Sequence, residues 1–224
     1  MRIWDLHPGY LDRKRLLGEH RELHGLFNIV HLGRKGYARH PETLRWVGHL
    51  SALAHRHQQL VLEMRLRGYR HQSPLPEIKG GIEWPATFIN TPAGQFSLLG
   101  EKQAAEDSAR IPLPKSTQQL WSQYKYAVMA HDPALYREVG PEVAHGRFAS
   151  DFEGLASLLV KCLRLPLLPG RVHNALAHMW GYLDHAGAIP EDRAAMLDAL
   201  QRGAEEQGLT YLLHSTALAG FVQG

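Results

Sequence analysis

Near the start of the chain, one carboxylate sits among cations. Glu22 lies in "LLGEHRELHGLF" with Arg15, Arg21, His20 and His24 around it, and a short arm separates it from the first amine. An α-amine has an ordinary pKa of about 7.7–8.0, so a fraction of it is free base near neutral pH. A free amine attacks an electrophilic carbon and forms an imine, which is covalent catalysis. A carboxylate held beside it moves protons or stabilises developing positive charge. Met1 and Glu22 are therefore a candidate nucleophile and acid/base pair, provided the arm folds back onto its helix. The competing reading makes Glu22 half of a surface i,i±4 charge network, worth a few tenths of a kcal/mol. The residues alone leave both open.

Other chemistries find less support. The chain has 15 histidines, which raises the question of a metal. His20 and His24 are four apart and can share a helix face, whereas His55 and His57, two apart, cannot. No third ligand stands at a recognisable spacing and H-E-x-x-H is absent, so no metal site is expected. No phosphate-cradling G-x-x-x-x-G-K-[ST] and no G-x-S-x-G elbow occurs. Imine chemistry needs neither metal nor nucleotide, so no cofactor is expected either.

The elements that must position these residues read as helices. An apolar stripe of Leu16, Leu23, Phe27 and Val30 predicts a first helix from near Asp12 to His31, broken by Gly33 and Gly36 with Arg34 and Lys35 in the turn. Pro41 suits a helix start, and Trp46, Val47, Leu50, Leu53, His57, Leu60, Val61 and Met64 extend one long helix to about Gly68. Arg45, Arg56, Arg65 and Arg67 fall on its other faces. Residues 72–115 are rich in Pro and Gly and read as an irregular connection, partly packed by Ile82, Trp84 and Phe88, with a short helix around Gln95–Glu106. Beyond it, Ser116 caps one helix, and Ser150 with Glu153 has capping-box spacing before an apolar run ended by Pro166 and Pro169. Three further helices are expected around 171–186, 190–206 and 209–222, with Pro190 as a start and Gly208 as a stop. The expectation is an all-α chain with a boundary near residue 115, giving modules 1–115 and 116–224.

Composition narrows the setting. Apolar residues make up 44% and charged residues 21%, as in ordinary globular proteins. No run of about 18 uncharged apolar residues exists, so no membrane span is expected. The N-terminus lacks the apolar core of a signal peptide, and the single cysteine, Cys162, lies in an apolar run as a small buried hydrophobe. A cytoplasmic protein fits. The net charge of +3 hides an asymmetry. Residues 1–75 hold 13 Lys+Arg against 6 Asp+Glu, whereas residues 76–224 hold 12 against 16. A basic half either meets a polyanion or is a solvated basic surface.

Residues 1–75 resemble the pyrimidine-dimer DNA glycosylase (phage endonuclease V-like) family. The resemblance rests on "RI" at 2–3, "LLGEHRELHGLF" at 16–27 and "LSALAHRHQQLVLEMRLRGY" at 50–69, with the spacing from "RI" to "EHREL" kept without a gap. A weaker likeness continues to about residue 110. The family uses its N-terminal α-amine as nucleophile and a glutamate on the first helix. The amine attacks deoxyribose C1′, the base is released, and the imine drives strand cleavage by β-elimination. The resemblance places the glutamate on Glu22, the arginine of the same triplet on Arg21, the opening arginine on Arg2 and the nucleophilic residue on Met1. It implies damaged double-stranded DNA as the partner, and the cations Lys14, Arg15 and Lys35 are read as contacts to its backbone.

The chain departs from the family at three places. The family example loses its initiator methionine and uses a threonine amine. Here Arg2 is too large for methionine removal, so Met1 must be retained and freed of its formyl group. Lys14 and Arg15 replace a Gln-His pair, and Gly25 stands where the family has a DNA-contacting arginine. A strict preference for cyclobutane dimers therefore does not follow. Phosphate contacts give salt-dependent, sequence-independent affinity, which suits a search for lesions. Extrusion of a nucleotide costs least where stacking is already damaged, and each of Trp4, Trp46, Tyr37 and Trp84 either fills the gap or, the commoner role for such a residue, packs the core. The alternative is a non-catalytic DNA- or RNA-binding protein using the same basic face.

"YKYAVMAHDPALYREVG" at 124–140 and "HNALAHMWGYLDHAG" at 173–187 resemble an uncharacterised bacterial helical domain found alone or fused to other enzymes. That likeness implies a helical fold without a function. "WSQYKY" at 121–126 echoes an aromatic, lysine-containing tail of the phage glycosylase that helps contact the lesion; the plainer reading packs Trp121, Tyr124 and Tyr126 into a helix. His131, Asp132 and Tyr136 are polar enough for a site but suggest no mechanism.

Overall fold

A capped helix and a buried arm organise the N-terminal part. The computed structural model describes residues 1–102, 109–168, 170–184 and 187–221. Among these every regular element is helical, so the fold is all-α. The chain divides into two compact units, Met1–Ala109 and Arg110–Gln223.

In the first unit, α1 spans Arg13–Leu32, α2 Pro41–Trp46, α3 Leu50–Leu66 and α4 Pro92–Lys102, after a short 3-10 turn at Pro8–Tyr10. Asp12 starts α1 by accepting a hydrogen bond from the Arg15 amide at 2.7 Å. Gly33 ends it in the left-handed region, at φ +63°, where its amide reaches the Ile29 carbonyl. α1 buries Leu16, Leu23, Leu26 and Phe27 and packs on α3, which buries Leu53 and Leu60. The single helix expected from Pro41 to Gly68 is in fact two. Gly48, at φ +85°, adopts a backbone that a continuing right-handed helix excludes, and α3 begins anew at Leu50. Arg45 and Arg56, read on faces other than the apolar stripe, are turned inward: their side chains are 4% and 2% exposed.

Residues 68–91 form no regular element, as expected. Trp84 packs there against Trp46 and His55, at ring separations of 6.1 and 5.8 Å, whereas Ile82 is exposed. α4 starts at Pro92 rather than Gln95; the expected end at Glu106 lies outside the described residues.

The second unit is built around α5, Thr117–His131, against which α6 (Pro133–Ala144), α7 (Phe152–Cys162) and α8 (Arg171–Trp180) pack. α9 (Arg193–Glu206), α10 (Thr210–Leu213) and a 3-10 turn at Thr216–Leu218 complete it. Ser116 caps α5 through the Gln119 amide. The cap of α7 is Asp151, not Ser150, because its carboxylate accepts from the Gly154 amide at 2.8 Å. α8 stops at Trp180, short of the expected 186, and Asp192 rather than Pro190 starts α9. The last expected helix is reduced to α10 and the following turn. Pro169, residues 185–186 and residue 222 lie outside the described residues. Cys162 is buried, which pushes its thiol up to about 12.

His131, Asp132 and Tyr136 have structural partners. His131 Nδ1 meets the Leu165 carbonyl at 2.6 Å, Asp132 caps α6 through the amides of Ala134 and Leu135, and Tyr136 stacks on Trp121. Tyr124 and Tyr126 are 1% and 3% exposed, so the aromatic pair that echoes a lesion-contacting tail is packed inside its unit.

Candidate active site

The first ten residues are pinned at successive points. Ile3, Leu6 and Tyr10 are fully buried. Between them, polar groups of the arm find partners on other elements. Arg2 donates through its guanidinium to Asn90 Oδ1 at 2.9 Å and lies over the Trp4 ring. The Trp4 amide donates to Glu19 Oε1 at 3.2 Å. The Asp5 amide donates to Gln95 Oε1, and the Gln95 side-chain amide returns a bond to the Asp5 carboxylate, each at 2.8 Å. Arg45 forms an ion pair with the same carboxylate. Arg56 donates to the Leu6 carbonyl at 2.9 Å, and Arg67 reaches the carbonyls of Pro8 and Gly9.

Two Arg–Glu pairs anchor this arrangement, with arginines from α3 and from the residue just past its end. Arg56 grips Glu19 bidentately, at 2.8 and 2.9 Å, with both side chains almost fully buried. Burial pushes the Glu19 carboxyl up, while Arg56 and the Trp4 amide pull against that. Arg67 binds Glu63 at 2.8 Å. The arm is thus held by charge-assisted hydrogen bonds in a place where water competes poorly.

The pinned arm delivers its first residue to α1. The Met1 amine lies 3.9 Å from Glu22 Oε1, and the Arg2 amide donates to Glu22 Oε2 at 2.5 Å. The Glu22 side chain remains 43% exposed, so the carboxylate contacts both the arm and solvent. Residues seven apart in a helix share a face. Lys14 and Arg21 therefore stand on one exposed side of α1, with Glu22, Gly18 and Gly25 beside them. A Cβ placed on Gly18 or Gly25 would meet nothing within 4 Å, so this face is open for another molecule to approach.

Met1, Arg2 and Glu22 are joined by direct contacts. Lys14, Arg21 and Lys35 are exposed and line the same helix at its start, its middle and just past its end. With 20 residues, α1 spreads these cations over about 30 Å. Arg15 points back instead and forms an ion pair with Asp12.

Residues 1–77 match the pyrimidine dimer DNA glycosylase family model. The matched stretch carries Met1, Arg2, Arg21 and Glu22. Residues 125–218 match a family described as a protein of unknown function (DUF1722). No curated protein and no solved structure matches the chain. No helix among the described residues is long and apolar enough to cross a membrane.

Within the first unit, several residues that set the geometry carry no local sequence signal. Glu19 and Arg56 are 37 apart, Asp5 and Arg45 are 40 apart, and Asp5 and Gln95 are 90 apart. The same holds for histidines: folding brings His57 and His71 to His20 and His24, whose own spacing was the only visible clue. Burial and mutual repulsion lower His20 to about 4 and His57 to about 3.

Proposed function

We propose that this protein excises damaged bases, including pyrimidine dimers, from double-stranded DNA and then cleaves the strand as an abasic-site lyase, using the α-amine of Met1. The observation that carries this reading is the amine 3.9 Å from the Glu22 carboxylate, on an arm fixed by buried ion pairs. The neutral amine attacks C1′ of the extruded nucleotide, and the bond from C1′ to the base breaks. The base leaves with the electron pair, and loss of a proton from nitrogen with opening of the sugar gives the imine. Removal of a C2′ proton then expels the 3′ phosphate by β-elimination. Glu22 is suited to take and return these protons and to offset the positive charge on the iminium nitrogen.

Lys14, Arg21 and Lys35 supply phosphate contacts along α1, while Arg2 fixes the arm and adds positive potential beside Glu22. Of the four aromatic residues considered for the gap left by an extruded nucleotide, Trp4 and Trp46 are buried and Trp84 is packed. Tyr37, on the loop between α1 and α2, is 75% exposed and is the best suited. On this reading residues 1–115 form the catalytic module, and residues 116–224 form a separate helical module.

The test uses duplex DNA carrying one cyclobutane dimer or one abasic site. The reading predicts scission of a glycosidic bond at the dimer and strand cleavage at both substrates by the wild-type chain, and loss of both activities in Glu22→Gln and in protein bearing extra residues before Met1. Salt-dependent binding without cleavage would favour the non-catalytic alternative.

A further inference from the structure

Four imidazoles converge on one point in the N-terminal unit, away from Glu22. His20 and His24 stand one turn apart on α1, His57 comes from α3, and His71 from the irregular segment after Gly68. Glu22 is two residues from both α1 histidines, so it faces the other side of the helix. One ring nitrogen from each histidine lies within 4.8 Å of the other three. The Nε2 atoms of His24 and His57 are 3.2 Å apart, and those of His20 and His71 are 3.1 Å apart.

These separations can be compared with a metal site. Zinc–imidazole bonds of about 2.0–2.1 Å put the corners of a tetrahedron about 3.3–3.4 Å apart. The same construction, extended along each ring, puts ring centroids about 5.2 Å apart. The observed centroid separations are 4.7 Å for His20–His24, 5.1 Å for His20–His57 and 5.0 Å for His20–His71. They are 4.9 Å for His24–His57 and 5.1 Å for His57–His71. Two separate hydrogen-bonded histidine pairs would satisfy the short contacts but would not require both pairs to meet at a common centre.

The surroundings suit a metal as well. His57 is 4% exposed and the other three are half-buried. Four neutral nitrogen donors satisfy a tetrahedral divalent ion completely and leave no open position, which marks a structural rather than a catalytic centre.

We propose that His20, His24, His57 and His71 bind one divalent transition-metal ion, zinc by preference, which staples the segment around residue 71 to α1 and α3. The metal braces the helix that carries Glu22 and takes no part in the chemistry at Glu22. The inference is independent of the glycosylase reading and stands or falls separately from it.

The test uses the full chain without a polyhistidine tag. Protein stripped with a chelator is titrated with zinc and, separately, with cobalt(II), following metal content, Tm and the visible spectrum. The expected result is one tightly held ion per chain, a rise of several degrees in Tm, and the intense visible bands of tetrahedral cobalt. His71→Ala, in an irregular segment where the fold tolerates truncation, should weaken zinc binding by more than the roughly 10–100-fold typical of losing an outer contact. His173→Ala, on the exposed surface of α8, should bind as the parent does. Failure to take up stoichiometric zinc, an octahedral cobalt spectrum, or unchanged binding in His71→Ala would overturn the proposal and leave a hydrogen-bonded histidine cluster.

Discussion

Replacing Arg56 with methionine tests whether buried charge positions the arm. Arg56 makes two bonds to Glu19, at 2.8 and 2.9 Å, and one to the Leu6 carbonyl at 2.9 Å. Methionine fills much of the same space but leaves Glu19 as an uncompensated buried carboxylate. Breaking a buried pair from one side costs about 3–5 kcal/mol. For a unit of roughly 100 residues, each kcal/mol moves Tm by about 4 °C, so its transition should fall by roughly 12–20 °C. Cleavage of abasic DNA should fall too, at temperatures where helical circular dichroism is intact, because Leu6 and Trp4 no longer hold Met1 against Glu22. The double variant Glu19→Leu with Arg56→Met removes both charges. It should recover part of the loss, short of the cost of the Trp4 amide and the Leu6 carbonyl that lose these partners, roughly 1–3 kcal/mol for each group left unpaired. Differential scanning calorimetry with a double-mutant cycle reads this directly. A single variant within 1 kcal/mol of the parent, or a double variant as unstable as the summed singles, would refute the reasoning.

Further outcomes follow from the same geometry. Glu22→Gln should lower single-turnover strand cleavage by about 10²–10⁴-fold, the range for a positioned acid/base, while its Tm shifts little because the side chain is 43% exposed. Gly25→Arg should be accepted, because a Cβ there meets nothing within 4 Å; it should stabilise α1 by up to about 1 kcal/mol and steepen the salt dependence of DNA binding by about one unit of slope. Burial lowers His131 from its ordinary value of 6.5, so unfolded chains take up a proton before folded ones do. Its contribution to stability is therefore full above pH 6.5 and is lost as pH falls below that value; urea titrations from pH 7.5 to 5 should show a weaker decline in His131→Gln.

What could be read from the sequence was local. Asp12 and Gly33 delimit α1 because a cap and a left-handed glycine act within a few residues of the helix they end. Ser116 did the same for α5. The long helix from Pro41 was misread because the apolar rhythm continues through Gly48 while the backbone does not, and φ leaves no trace in hydrophobic spacing. Ser150 and Asp151 are adjacent residues of equal capping chemistry, and only the fold chose between them. Glu22 was legible because its neighbours in sequence are cations. Glu19, three residues earlier, was not, because its partner Arg56 comes from another helix. The histidine cluster was hidden for the same reason: His57 and His71 approach α1 only in the folded chain.

The central claim is that the leading nitrogen performs the attack. Borohydride reduction during reaction with abasic duplex DNA, followed by peptide mapping of the adduct, tests it most directly. The account predicts one reduced adduct on the α-nitrogen of Met1, formed by protein whose intact mass includes an unformylated methionine. An adduct on a lysine side chain, or none from protein that still binds and nicks the DNA, would contradict it.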